Sequence, residues 1–365
     1  MIQTLIALFL VSANAQRTMT LTNNCPSKLW FKFISGASQP GSCGSDGDCI
    51  AGSECNKVAG ICFWKLPKPS TGNFHLDPHQ KSSVTFPLID NRENILWSGK
   101  VGACLDGTCL ESEAKCDKEG CDVPYGSPMT IAEWTFLKKT EDFYDVSTIN
   151  GFNIGVAMKP LGVNPTVENP YRCGTPGGRE SKGLGGSTYN FQPPLLEYNW
   201  VSTGGKTCNS QADCTSGETC GLSNNVGVAQ RLRKSCGKFL GYWTANQICG
   251  IQPDYGAPFN CRELRSLQLC DNGIQSCYSM GAGSGCCGCA NWDQEGLNVP
   301  GAAITHQCYN KNPVWTQNIL PTLKWLKKEV PTLYTYPYDD ASSTFTCSNV
   351  IGGANKLDYE IIFCP

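Results

Sequence analysis

Cys286, Cys287 and Cys289 form a CCGC run whose CxxC spacing suits a zinc knuckle or a redox-active dithiol. The rest of the chain supports neither. Against 24 Cys there are only three His (His75, His79, His306), and no second CxxC supplies the remaining corners of a tetrahedral site. An even cysteine count is what complete pairing in an oxidising compartment requires, so disulfides are expected throughout, with no metal and no other cofactor. Three imidazoles also make a Ser-His-Asp or Cys-His nucleophilic site improbable. There is no Walker loop and no GxGxxG placed between a strand and a helix.

A second cysteine pattern is internally repeated. Cys43-GSDGD-Cys49-IAGSE-Cys55 and Cys208-NSQAD-Cys214-TSGET-Cys220 share the form C-x-S-x-x-D-C-x-x-G-x-x-C, with Asp48 and Asp213 each directly before the middle Cys. Copies this short cannot bury a core, so disulfides must hold them. Cys62 is expected to complete the first module (43–62), and Cys236 or Cys249 the second (208–249). A Ca²⁺ site wants six or more oxygens, so a turn-forming Asp is the better reading of Asp48 and Asp213.

The elements that carry these residues come from a loop-rich β protein. The 365 residues include 39 Gly and 22 Pro, only 16% are charged, and length allows roughly two or three domains. A formal charge of -2 gives no field for phosphate backbones, so a nucleic-acid partner is not expected. The apolar run Leu5 to Val11, followed by Ala13-Asn14-Ala15, reads as a signal peptide over residues 1–15 with export of the rest. The run is too short to span a bilayer and no later segment approaches spanning length, so no transmembrane segment is expected. A monomer is expected. There is no Asn-x-Ser/Thr sequon.

Strand alternation appears at Thr18 to Leu21, Leu29 to Phe33, Phe152 to Met158 and Tyr359 to Phe363. From Thr130 to Phe136 it sends Ile131, Glu133 and Thr135 to one face, and Ala132, Trp134 and Phe136 to the other. Residues 174–194 carry six Gly and no apolar period, which marks a linker before the second module. Trp315, Ile319, Leu323, Leu326 and Val330 recur at helical steps, with Lys324, Lys327 and Lys328 opposite and Pro321 as a kink or true start.

The segments TNNCPSKLWF (22–31), GSPMTIAEWTF (126–136), DFYDVSTINGFNIGVAM (142–158), YPYDDASSTFTC (336–347) and DYEIIFCP (358–365) resemble thaumatin-like proteins, the osmotin, thaumatin and pathogenesis-related group 5 family, in family order along the whole chain. The two Cys modules and much of 195–305 depart from plant members, and CCGCANW (286–292) looks more like non-plant ones. The resemblance implies a mainly β fold: a sandwich of about eleven strands beside a disulfide-rich helical and loop region. One such domain would span 16–365, interrupted by module 1 and by the 174–305 linker, module 2 and loop region. It further implies the pairs Cys25–Cys364, Cys104–Cys109, Cys116–Cys121 and Cys173–Cys347. Val330 stands where family members carry a Cys, so one family disulfide is missing.

The resemblance also implies an acidic cleft of one Arg, one Glu and three Asp. Glu133, Asp145 and Asp339 match three of the carboxylates, while Asn150 replaces the Asp before GFN and Ile95 the Arg, for which Arg92 or Lys100 could substitute. Binding of cell-wall β-1,3-glucan follows, with weak endo-β-1,3-glucanase activity using Glu133 as acid and Asp145 or Asp339 as base. An amide cannot accept a proton from water, so Asn150 is expected only to bind. Tyr334, Tyr336 and Tyr338 alternate on an expected strand and would offer rings to sugar. Two readings compete: an antifungal protein acting on membranes, disfavoured by the charge of -2, and an extracellular interaction or inhibitor module that uses the rigid Cys modules against a protein partner.

Overall fold

The computed structural model describes residues 17–86, 94–105, 115–117, 120–122, 127–165, 168–180, 182–225, 227–271, 273–299, 308 and 312–365, the short pieces 115–117 and 120–122 by backbone alone. The expected signal peptide, Arg92 and Cys109 lie outside the described residues. Among the described residues, ten strands build the sandwich: β1 (Arg17–Asn23), β2 (Leu29–Ser35), β3 (His75–Leu76), β4 (Lys81–Phe86), β5 (Ile95–Leu105), β6 (Ile131–Leu137), β7 (Asp142–Ser147), β8 (Val156–Pro160), β9 (Phe345–Cys347) and β10 (Tyr359–Phe363). One sheet runs β8-β10-β1-β4, the other β9-β7-β6-β5-β2-β3. Among the described residues of the sandwich, only the β1–β10 pair is parallel.

Period-two alternation makes the core. Along β6, Ala132, Trp134 and Phe136 are buried while Glu133 and Thr135 are half-exposed on the other face. Trp134 stacks on Trp97 with centroids 5.0 Å apart, and Phe136 stacks on Tyr359 of the other sheet at 5.2 Å. Contacts of this kind add about 0.5–1.5 kcal/mol beyond the area they bury. Arg17 of β1 crosses the sandwich to Asp142 of β7: Nη1 donates to Oδ1 at 2.9 Å, Tyr359 donates its hydroxyl to Oδ2 at 2.9 Å, and the guanidinium lies 4.2 Å from the Phe136 ring centre. Burial raises the Asp142 carboxyl while Arg17 opposes the rise. The strand expected from Phe152 begins only at Val156, because Asn153 turns its amide to the Ala103 carbonyl and Phe152 bridges Tyr242 outside the sandwich.

Cys25–Cys364 ties the two ends of the described chain, and Cys173–Cys347 pins the segment after β8 to β9. Cys104 is disulfide-bonded, but its expected partner Cys109 is outside the described residues. Cys116 and Cys121 are opposed in a backbone hairpin.

The repeated modules share one construction. Each ends in a β-hairpin with two Cys directly opposed, Cys55 with Cys62 and Cys220 with Cys236. Each opposed Cys reaches back to the preceding loop: Cys43–Cys55 and Cys49–Cys62 in one, Cys208–Cys220 and Cys214–Cys236 in the other. Cys236 therefore completes module 2, while Cys249 joins Cys261 and links α1 (Ala245–Ile251) to α2 (Cys261–Leu269). Asp48 Oδ2 accepts the N–H groups of Gly44 and Ser45, both at 2.9 Å, and Asp213 does the same for Asn209 and Ser210. The CCGC thiols are all in disulfides, Cys277–Cys286, Cys270–Cys287 and Cys289–Cys308.

The expected long helix is two, α3 (Pro313–Asn318) and α4 (Pro321–Glu329), with Pro321 opening the second where a missing N–H is harmless. Its apolar stripe is buried. Lys327, expected on the polar face, is also buried, because Leu333 and Ser343 oxygens and the Asp339 carboxylate satisfy its ammonium.

Candidate functional site

Strand register assembles the site. Ile34 of β2 is opposite Lys100 of β5, Lys100 opposite Glu133 of β6, and Glu133 opposite Asp145 of β7. Directly opposed residues share a sheet face, so these four side chains form one row across four strands, on the face away from Trp134. Lys100 Nζ lies 3.2 Å from Glu133 Oε1, and each side chain is about one third exposed (34% and 33%). The row lies in an open groove of ≈ 290 Å³, bordered by the partly exposed rings and chains of Phe143 and Ile34.

Asp145 has a different environment from its neighbour. It is half-buried, and its Oδ1 is sealed and accepts no hydrogen bond. Burial drives its carboxyl well above the usual Asp range, and the negative charges of Glu133 and Asp340 push it further, against the pull of Lys100. The balance at Asp145 is thus shifted toward the neutral acid relative to an ordinary Asp, while the Lys100 ammonium pairs with Glu133.

Asp340 is exposed and accepts from the Thr344 hydroxyl at 3.3 Å, beside the β7–β9 pairing that aligns Tyr144 with Phe345. Asp339, its sequence neighbour, does not reach the groove. It is 1% exposed, bound to Lys327 at 3.0 Å, and its oxygens accept from Thr335, Ser342 and the Trp292 indole. Residues 339–342 form a 3₁₀ turn in which the first carboxylate is buried and the second exposed.

The tyrosine row is not a strand. Tyr334 makes a single bridge to Ser147, Pro337 interrupts the segment, and Tyr338 sits at φ +81°, so side-chain alternation is lost. Tyr336 is buried in a second core, its hydroxyl 3.2 Å from that of Tyr278 and accepting the Ala290 N–H at 3.0 Å. Tyr334 and Tyr338 are half-buried and tied together, the Tyr338 N–H donating to the Tyr334 hydroxyl at 3.1 Å. Trp200 and Trp243 are core residues.

A sequence profile of the Thaumatin family matches residues 58–290, well over half of the chain. The chain belongs to the Thaumatin family. Pathogenesis-related protein 5 of Arabidopsis thaliana is 23% identical over 362 residues, covering 95% of this chain and 89% of its own. Pathogenesis-related thaumatin-like protein 3.5 of Cryptomeria japonica is also 23% identical, over 355 residues, with the same coverage of both chains. The solved thaumatin-like xylanase inhibitor superposes on 39% of this chain and 76% of its own, at 16% identity and a TM-score of 0.21.

Against the cleft set that the Thaumatin-family resemblance implied, the structure sets Glu133 between Asp145 and Lys100 across the strands, and the charges of both Asp340 and, less strongly, Asp339 raise the Asp145 carboxyl. Ile95 sits at the far end of β5, opposite Leu137 and packed against the core. Asn150 is exposed at the rim of a neighbouring cavity, its carbonyl accepting the Met129 N–H at 2.9 Å. Asp340 escaped sequence reading because either Asp of YPYDD satisfies the motif. No helix among the described residues is long and apolar enough to cross a membrane.

Proposed function

We propose that this Thaumatin-family chain is a secreted, defence-type protein that binds cell-wall β-1,3-glucan along the Lys100–Glu133–Asp145 row, with weak endo-hydrolysis as a secondary activity. The observation that carries the reading is the row itself: two adjacent carboxyl groups and a cation on an open sheet face, between the partly exposed Ile34 and Phe143. Carboxylates accept sugar hydroxyls strongly, and flat apolar groups pack on the C–H face of a pyranose. Secretion is supported by the disulfides, which form and persist in oxidising compartments. The names of the pathogenesis-related relatives support the defence role.

For hydrolysis the electrostatics favour Asp145 as the acid that protonates the leaving oxygen and Glu133 as the nucleophile or base, the reverse of the assignment drawn from the motifs. Cross-strand neighbours are close, as a retaining mechanism needs, with carboxyl groups roughly 5 Å apart. The test is a pulldown on insoluble β-1,3-glucan with reducing sugar assayed in the supernatant. Retention that Glu133→Gln weakens supports binding in the groove; sugar release abolished by Asp145→Asn adds the catalytic role. Absence of retention would refute the glucan reading.

A further inference from the structure

Asn150 is followed directly by Gly151, the neighbour that leaves an asparagine side chain most open to attack by its own backbone, because glycine puts no Cβ beside the nucleophile. The reaction needs only the chain and water. The Gly151 nitrogen gives up its proton and bonds to Asn150 Cγ, ammonia leaves, and water then opens the five-membered imide to aspartate or isoaspartate. A neutral amide becomes a carboxylate with no oxidant and no cofactor. Asn-Gly also occurs at 272–273, where Asn272 is outside the described residues.

The fold presents the electrophile and locks the nucleophile. Asn150 is exposed and lines the cavity of ≈ 990 Å³ beside the groove, together with Lys32 and Lys100. Gly151 is buried, and its N–H closes a β-turn by donating to the Thr148 carbonyl at 2.9 Å. That proton must be lost before the nitrogen can attack, so the turn has to open first.

Neighbours on separate segments hold the turn shut. The Thr148 N–H donates to the Tyr334 carbonyl and the Met129 N–H to the Asn150 carbonyl, both at 2.9 Å, while Phe152 and Tyr242 exchange backbone bonds at 2.9 and 2.6 Å. The hydroxyl of Thr244, the N-cap of α1, donates to the Ile149 carbonyl at 2.7 Å. Gly151 sits at φ +86° with no spare room: a Cβ there would meet Gln247 Oε1 at 2.6 Å and Pro128 Cβ at 2.7 Å.

We propose that Asn150 is a latent carboxylate, a self-modification site that the 148–151 turn keeps in its amide form and that local opening of the turn releases. Conversion places a negative charge on the cavity wall that also carries Lys32 and Lys100. Nothing in this chemistry depends on what the groove binds.

The purified chain, incubated in mildly alkaline buffer, is compared with the same chain reduced, alkylated and held in urea. Peptide mapping by tandem mass spectrometry follows conversion at Asn150, and isoaspartyl methyltransferase labelling identifies the isoaspartate product. Conversion in the folded chain is expected to be at least about tenfold slower than in the unfolded one. Thr244→Val, shown to be folded by its thermal melt, is expected to convert several-fold faster than the folded parent, and Asn150→Gln to remove the signal. Equal rates in the folded and unfolded parent overturn the gate, whether or not Thr244→Val folds. An unfolded chain that stays unconverted at Asn150 overturns the site, and a folded Thr244→Val chain no faster than the parent overturns the hold assigned to α1.

Discussion

Lys327 and Asp339 form an ion pair closed to solvent, Nζ 3.0 Å from Oδ2, with side chains 0% and 1% exposed. The ammonium also donates to the Leu333 carbonyl and the Ser343 hydroxyl, so α4 is bolted to the turn that holds Asp340. Burial lowers the lysine and Asp339 opposes that shift. Removing one partner strands a buried charge. Lys327→Met is expected to lower the unfolding free energy by about 3–5 kcal/mol in a urea titration, while glucan retention by the folded fraction stays intact because Asp339 does not face the groove. An unchanged urea midpoint would show that the pair is not closed.

Asp145 should make stability depend on pH in a defined direction. Its folded carboxyl is raised above the unfolded value by burial and by Glu133 and Asp340, so the folded state holds its proton more tightly. That contribution is fully present below the unfolded pKa, about 3.9, and is lost as pH rises through the folded one. Asp145→Asn removes the charge that must otherwise be buried. Melts between pH 3 and pH 8 should show the variant gaining in melting temperature over the parent towards neutral pH, with the gain vanishing below about pH 4. A gain that grew on acidification would contradict the assignment.

The face of Glu133 is legible from β6 alone, since alternation with Trp134 and Phe136 decides it. Its neighbours are not. That Lys100 and Asp145 flank it depends on the register of β5 and β7, set by pairings between separate strands that no single segment encodes. Asp339 and Asp340 show the same limit at one-residue resolution: which carboxylate is buried depends on a 3₁₀ turn and on Lys327, 12 residues earlier. The tyrosines mislead because Tyr-x-Tyr-x-Tyr satisfies period two even though Pro337 and the left-handed Tyr338 cannot continue a strand. Cys236 rather than Cys249 closes module 2 because the hairpin sets it opposite Cys220.

Lys100 is the single cation of the row, and its removal should be readable at Asp145. The lysine lowers the Asp145 carboxyl from a value that burial and the acids Glu133, Asp340 and Asp339 have raised. Lys100→Met is therefore expected to move the Asp145 titration upward, followed by carbon-13 NMR of the side-chain carboxyl. Any glucan hydrolysis that uses Asp145 as acid should keep its activity to higher pH in the variant, since the alkaline limb follows the acid's ionisation. A titration that stayed in place would mean that Lys100 couples to Glu133 alone.

Asp48 and Asp213 offer a paired test of the modules. Each caps its loop by accepting two backbone N–H groups, and each carboxyl is held below the usual range chiefly by those bonds. A lowered pKa contributes stability above the unfolded value and loses it as pH falls through the folded one, so both caps should loosen in strong acid. At neutral pH, Asp48→Ala should speed amide exchange at Gly44 and Ser45 and leave Asn209 and Ser210 unchanged; Asp213→Ala should do the reverse. The melting temperature should move little in either, because two disulfides still fix each loop to its hairpin and the capping groups are exposed. Exchange that rose in both modules at once would mean that the two copies are coupled through the sandwich, a connection that their separate hairpins do not require.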